Sequence, residues 1–260
     1  MKATVCLLCV VTYLGCKNSN SVGNETNKRF ISSESNVDTL RAVSAPLKIK
    51  DFPRQENIDT LEKRMIEANL IDVSLLNPDI KVNLRYASDS NFLNQAIYKS
   101  LKRAYLEESA AKKLAIAQIL LTTEHPGTHI LVWDAARPIS CQRIMWNALD
   151  MPSIEKGRFV SNPRNHSLHN YGCAVDVTLC DSSGAPKEMG TDFDQFDSIA
   201  QPRYEWRMNY TGKLSDEAIR NRKILRKVMI AAGFSTISSE WWHFNSCSRE
   251  YAKANYAVIE

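Results

Sequence analysis

Two short stretches of the chain combine residue types that do chemistry together. In the first, Ser167-Leu168-His169-Asn170-Tyr171-Gly172 leads into the apolar run Cys173-Ala174-Val175-Asp176-Val177, which holds a single carboxylate. A carboxylate inside an apolar run is costly to bury unless it is paired or bound to a cation. A zinc ion would supply that cation, since imidazole with carboxylate is an ordinary pair of zinc ligands. Alternation on a strand would put Ala174, Asp176 and Thr178 on one face, where small neighbours leave room for a metal. Taken alone, the pair is better explained by an aspartate bonded to a backbone loop and an exposed histidine. The second stretch changes that balance, because Glu240-Trp241-Trp242-His243 sets another histidine three residues after a glutamate. Three protein ligands leave a fourth zinc position for water, whose pKa the metal lowers to about 7. Glu240 would be the general base, taking that water's proton and passing it to the leaving amine. In an ideal strand residues three apart face opposite sides, so Glu240 and His243 converge only through a bulge, a twist or a turn. At least one of the two tryptophans belongs to core packing.

The chain has five histidines. His125 sits in a Pro-Gly turn and His129 opens a strand, while His166 is either an alternative ligand or a loop residue bonded to His169. Arg137 precedes Pro138 and so stands at an element boundary, where side chains can face a cleft. A structural ion pair with Asp134 is its alternative role.

The elements that must position these groups are readable from periodicity. Leu61, Met65 and Ala68 suit a short helix, and Ile80, Val82, Leu84 and Tyr86 alternate as in a half-buried strand. Leu106, Ala110, Leu114, Ala117 and Leu121 share one face of a helix that stops before Pro126-Gly127. A strand over 129–134 follows, then a helix over 139–149 started by Pro138. The run 172–179 reads as a central strand. Ser215 caps a helix reaching Ala232, with Asp216 and Glu217 in its first turn and Gly233 just past its end. The aromatic, β-branched stretch 234–244 reads as one closing strand. Helices and strands that do not alternate regularly predict an α+β single domain, with a central, largely antiparallel sheet flanked by helices and the zinc site in a cleft.

Composition bounds the partners. Thirty-three basic against 29 acidic residues leave a charge of +4, with no Lys/Arg block interleaved with aromatics, which excludes a nucleic-acid surface. Lys2, the apolar run from Val5 to Leu14, and Gly15-Cys16 read as an export signal, and the run is too short to span a bilayer. Tyr13-Leu14-Gly15-Cys16 is similar to the cleavage box of bacterial lipoproteins. The expected organisation is a signal peptide over 1–15, a tether over 16–55 after a lipidated Cys16, and a catalytic domain over 56–260. The tether is rich in Ser, Asn, Lys and Thr and cannot bury enough apolar surface to fold. The membrane is therefore reached only through the lipid, and the location is the bacterial cell envelope, facing periplasm or exterior. Cys141, Cys173, Cys180 and Cys247 show no CxxC spacing and read as buried free thiols.

The pattern Ser-x-His-x-x-Gly-x-Ala-x-Asp, met by Ser167, His169, Gly172, Ala174 and Asp176, resembles the zinc D-alanyl-D-alanine dipeptidases of the vancomycin-resistance type, in peptidase family M15. Glu240 to His243 belongs to the same resemblance, as do Trp133 to Pro138, Met189 to Asp194 and Asn83 to Ala87. It spans roughly residues 70 to 250. By this resemblance His169, Asp176 and His243 hold one Zn²⁺, Glu240 is the base, and Arg137 stabilises the negative oxygen formed during attack. Arginine suits that task because its charge is permanent and its donors form a rigid fork. Asp194 would receive the substrate's ammonium, Tyr86 would line the same pocket, and Ser167 would support substrate or metal. The implied activity is hydrolysis of D-alanyl-D-alanine to two D-alanine by zinc-bound water. The alternatives are a D,D-carboxypeptidase acting on peptidoglycan stems and a non-catalytic zinc-binding wall-peptide module; the presence of both Glu240 and Arg137 argues against the latter.

Overall fold

The apolar run around Asp176 forms a strand whose seven residues are all buried. The computed structural model describes residues 60–260. In chain order they form α1 (Thr60–Glu67), β1 (Ile71–Asp72), α2 (Val73–Leu76), β2 (Lys81–Val82), β3 (Tyr105–Leu106), α3 (Glu108–Glu124), β4 (His129–Asp134) and α4 (Ile139–Ala148). Then follow α5 (Ser153–Lys156), β5 (Ala174–Cys180), α6 (Glu205–Tyr210), α7 (Asp216–Ala231), β6 (Ser235–Thr236), β7 (His243–Asn245) and α8 (Arg249–Asn255). The expected leader and tether lie outside the described residues. No helix among the described residues is long and apolar enough to cross a membrane.

The main sheet has the order β2-β4-β5-β7-β6, with β2 parallel to β4 and every other neighbouring pair antiparallel. β1 and β3 make a separate antiparallel pair. Helices α3 and α7 pack on each other, α3 also against β4 and α7 against β5. Val175, Val177 and Leu179 join Leu114, Leu121, Leu225 and Met229 in the main core. Each such side chain contributes about 1.5–3 kcal/mol by leaving water. Alternation then assigns Ala174, Asp176 and Thr178 to the opposite face. The helix ends follow local chemistry. Ser215 Oγ accepts from Ala218 N at 3.0 Å at the start of α7, and Gly233, at φ +92°, lies beyond its end.

Two expected strands are shorter than their patterns. Ile80, Leu84 and Tyr86 are buried as the alternation requires, but the strand ends at Val82 and Arg85–Ala87 forms a 3₁₀ turn. β2 is an edge strand paired only with β4, so beyond Asn83, whose N–H reaches the Val132 carbonyl, nothing holds the backbone extended. The stretch 234–244 is likewise not one strand. It is a hairpin in which Ser235 pairs with Asn245 and Thr236 with Phe244, and 237–242 form the connecting bend. Trp241 and Trp242 find their backbone partners elsewhere: Trp241 N–H donates to the Ala200 carbonyl at 3.2 Å, and the Trp242 carbonyl accepts from Val177 at 3.0 Å.

One buried side chain ties these loops to the scaffold. Arg222, on α7, donates from Nε to the Met189 carbonyl at 2.7 Å and from Nη1 to the Ile199 carbonyl at 3.0 Å. It also pairs with Glu205, which takes Arg226 as well, and its guanidinium lies 5.3 Å from the Trp241 ring. Burial lowers its pKa to about 10, which leaves it charged at neutral pH. Removing Arg222 takes the donor from the Met189 and Ile199 carbonyls and leaves Glu205 with Arg226 alone, so Arg222→Ala should lower the unfolding free energy by about 2–5 kcal/mol. Urea denaturation measures this, and a loss under about 1 kcal/mol would mean that the 189–205 segment is held by other contacts.

Candidate active site

Antiparallel pairing brings the two chemical stretches together. Asp176 on β5 lies directly opposite His243 on β7, so their side chains share a face. On the other side of β5 the register with β4 shifts between Val132 and Asp134, which makes Asp134, instead of Trp133, the partner of Asp176. A one-residue shift of this kind exchanges the faces of neighbouring side chains. Asp134, Asp176 and His243 therefore form one row across three strands.

His169 enters from the 3₁₀ turn Leu168–Tyr171, which precedes β5. Ser167 caps this turn, its Oγ accepting from His169 N at 3.4 Å, and Asn170 Oδ1 accepts from Ser167 N at 2.7 Å. The turn closes at Gly172, at φ +67°, where a Cβ would come 2.9 Å from the Glu107 nitrogen. Only glycine fits that approach.

His169 Nε2 lies 3.2 Å from His243 Nδ1 and 3.5 Å from Asp176 Oδ2, and His243 Nδ1 lies 3.0 Å from Asp176 Oδ1. The three ligand atoms all fall within 4.8 Å of one another. The far nitrogen of each ring has a partner of its own. His169 Nδ1 is 2.7 Å from the Ala135 carbonyl, and His243 Nε2 is 2.8 Å from Asn245 Oδ1. Both partners are acceptors, so those nitrogens donate, which leaves His169 Nε2 and His243 Nδ1 to face Asp176 and, with a metal bound, to offer it their lone pairs. Burial pushes the Asp176 carboxyl up, but the His169 and His243 imidazoles outweigh it and hold the group well below the usual carboxylate range. Two imidazole nitrogens and a carboxylate oxygen, presented together, suit a divalent metal with N/O ligands.

Around this cluster lies a cavity of about 170 Å³, lined by Glu240, Arg137, Tyr86, Asp194, Ser167 and the three cluster residues among others. Glu240 stands on the bend before β7, not on a strand, and this resolves the facing problem: its Oε2 lies 4.0 Å from His243 Nδ1. Burial raises its pKa above that of an ordinary glutamate, with His243 opposing and Asp176 adding to the shift. Arg137 is buried and pairs with Asp134 through Nε at 3.0 Å and through Nη2, while Nη1 donates to Gln142 Oε1 at 2.8 Å. Its backbone is held as well, because Arg137 N–H donates to the His169 carbonyl and Asn170 Nδ2 to the Arg137 carbonyl. The ion pair with Asp134 and a place at the cavity thus occur together. Tyr86 donates its hydroxyl to Asp194 Oδ2 at 2.9 Å, and burial pushes the Asp194 carboxyl well above the usual range. His166 stands apart, its Nδ1 3.0 Å from the Tyr171 hydroxyl.

Residues 66–259 match the model of the M15 peptidase family described as D-ala-D-ala dipeptidase. The chain belongs to this family. It is a metallopeptidase. A D-alanyl-D-alanine dipeptidase of Escherichia coli is 34% identical over 179 residues, covering 67% of this chain and 83% of its own. Another from Synechocystis sp. is 27% identical over 185 residues, covering 60% of this chain and 75% of its own. Among solved structures, a vancomycin-resistance D,D-pentapeptidase in complex with Zn(II) aligns with 58% of this chain and 78% of its own at 15% identity and a TM-score of 0.35, a likeness too slight to bear on fold or chemistry.

Three supporting residues do not emerge from motif spacing. Asn245 and Gln142 orient His243 and Arg137, and Tyr98 donates its hydroxyl to Asp134 Oδ1 at 2.6 Å. Asn245 had a faint signal, since a polar residue two after His243 shares its face on a strand. Loss of an outer partner of a metal-ligating histidine typically costs 10–100-fold in affinity. Asn245→Ala should therefore weaken divalent-metal binding by about that factor in a chelator competition. Unaltered affinity would show that the His243 ring is oriented without it.

Proposed function

We propose that this chain is a zinc-dependent dipeptidase that hydrolyses D-alanyl-D-alanine to two D-alanine, with one Zn²⁺ held by His169, Asp176 and His243. The observation that carries the reading is the convergence of these three ligand atoms within 4.8 Å, beside Glu240 and Arg137 in one small cavity. A zinc ion with three protein ligands supplies an acidified water and polarises a carbonyl. Glu240, raised by burial and within reach of the cluster, takes a proton at its carboxylate and returns it to the departing amine. Arg137 has five N–H groups, three of them engaged by Asp134 and Gln142. The two remaining, on Nη1 and Nη2, are free to meet the charge that develops on the carbonyl oxygen, and the locked guanidinium needs no reorganisation to do so.

Asp194 binds the substrate's ammonium. Its bonded partner is a neutral phenol and its pKa is driven up by burial, so an arriving cation supplies the missing counter-charge. Tyr86 fixes that carboxylate, and Ser167 positions His169 while facing the cavity. Recognition of the free amine favours a dipeptide over the blocked peptides that a D,D-carboxypeptidase takes. The export signal and lipidated Cys16 would place this activity in the cell envelope.

Glu240→Gln should retain metal and lower kcat by about 10²–10⁴-fold. Stopped assays on D-Ala-D-Ala, with metal content measured in parallel, check this, and near-normal turnover would remove Glu240 as the base. Asp194→Asn should raise KM for the free dipeptide more than for an N-acylated one, and equal effects would reject the ammonium assignment. Product analysis with D-Ala-D-Ala and an N-acylated tripeptide, with and without chelator, should show chelator-sensitive release of D-alanine from the dipeptide alone. Efficient cleavage of the tripeptide would establish the carboxypeptidase instead.

A further inference from the structure

The cavity is polar on one side and aromatic on another. Phe159, from the segment after α5, and Phe196, two residues after Asp194, both line it, with ring centroids 5.2 Å apart and planes at 71°. Phe92 backs Phe196 at 5.5 Å and itself meets the edge of Tyr86 at 6.5 Å, so the wall is continuous with the residue that fixes Asp194. Beyond it lies a second cavity of about 290 Å³, which shares Phe159, Phe196 and Glu240 with the first and adds Arg158, Gln201 and Arg203. The two rings thus stand between two chambers, beside the group that would take the substrate's amine.

We propose that Phe159 and Phe196 form the wall that limits the substrate to two residues, and that the chamber behind them is the space an N-acylated substrate would need. This rests on the dipeptidase reading above. A chain extended from the amine must leave the site past Asp194, and the next groups along that loop are Gln195 and Phe196. An acyl group meeting two packed rings clashes, whereas a free ammonium stops at the carboxylate. The restriction therefore has two separable parts, a charge that an amide cannot satisfy and a wall that an acyl group cannot pass. Both rings are half-buried and lie at the cavity edge, outside the fully buried core.

The test measures kcat/KM for D-Ala-D-Ala and for N-acetyl-D-Ala-D-Ala in the zinc-loaded full-length protein. It compares wild type with Phe159→Ala/Phe196→Ala, each also in an Asp194→Asn background to remove the charge requirement. The ratio of N-acetylated to free substrate should rise at least tenfold on opening the wall, and the rise should persist with Asp194→Asn. An unchanged ratio in both backgrounds would overturn the proposal. Should the double alanine variant fail to fold by circular dichroism, Phe159→Leu/Phe196→Leu gives the same decision with a smaller expected rise. If wild type already cleaves both substrates equally, the dipeptide restriction itself fails, a result distinct from failure of the wall.

Discussion

Placing the charge of Asp176 in the middle of a fully buried strand is the constraint on which the rest of the molecule depends. An isolated carboxylate there would carry a desolvation penalty of several kcal/mol, and it would take up a proton instead of remaining ionised. Two imidazoles at 3.0 and 3.5 Å hold it ionised in the free protein, and a divalent cation would do so more completely. The neighbouring Asp134 poses the same problem one strand away, where Arg137, the Tyr98 hydroxyl and the Ala135 N–H satisfy it. The sheet centre is thus a row of acid and base side chains in which each charge is tolerable only because of the next.

Such a row needs a scaffold that fixes distances to a fraction of an ångström. Antiparallel register supplies it, because cross-strand partners have no freedom to drift apart without losing backbone hydrogen bonds. The shift in β4 does a further job, turning Asp134 toward the cluster and Trp133 into the aromatic packing with Phe193 and Trp241. Glu240 and Asp194, which also line the cavity, come instead from bends. The backbone of Asp194 sits at φ +58°, a left-handed conformation that Asp tolerates better than most residues. Arg222 anchors these bends from beneath, which lets irregular backbone remain well placed.

In Arg137 a structural ion pair and a place at the cavity coincide. Asp134 and Gln142 immobilise its guanidinium at the cavity wall, and a fixed guanidinium is what the proposed reaction would need to meet developing charge without reorganisation. Tyr86 does the same for Asp194, since its phenol donates to the carboxylate and its ring supports the Arg137 guanidinium at 5.3 Å.

The residue types at the centre, and the helices and strands that carry them, were legible in the chain alone. Periodicity defined α3, β4 and α7, Ser215 and Gly233 marked the ends of α7, and an aspartate in an apolar run demanded a counter-charge. These are local statements, decided within a few residues by sterics, capping and burial. The pattern over 80–86 recorded burial correctly but not the early end of β2, and the pattern over 234–244 concealed a hairpin, because alternation reports which side chains are buried and not what the backbone pairs with. Only tertiary structure could decide that His169 meets a ring 74 positions away, that Ala135 and Asn245 hold the far nitrogens of the two rings, and that Phe159 and Phe196 pack together in the cavity lining. Those outcomes depend on the register between strands and the approach of distant loops, which are set by packing across the whole core.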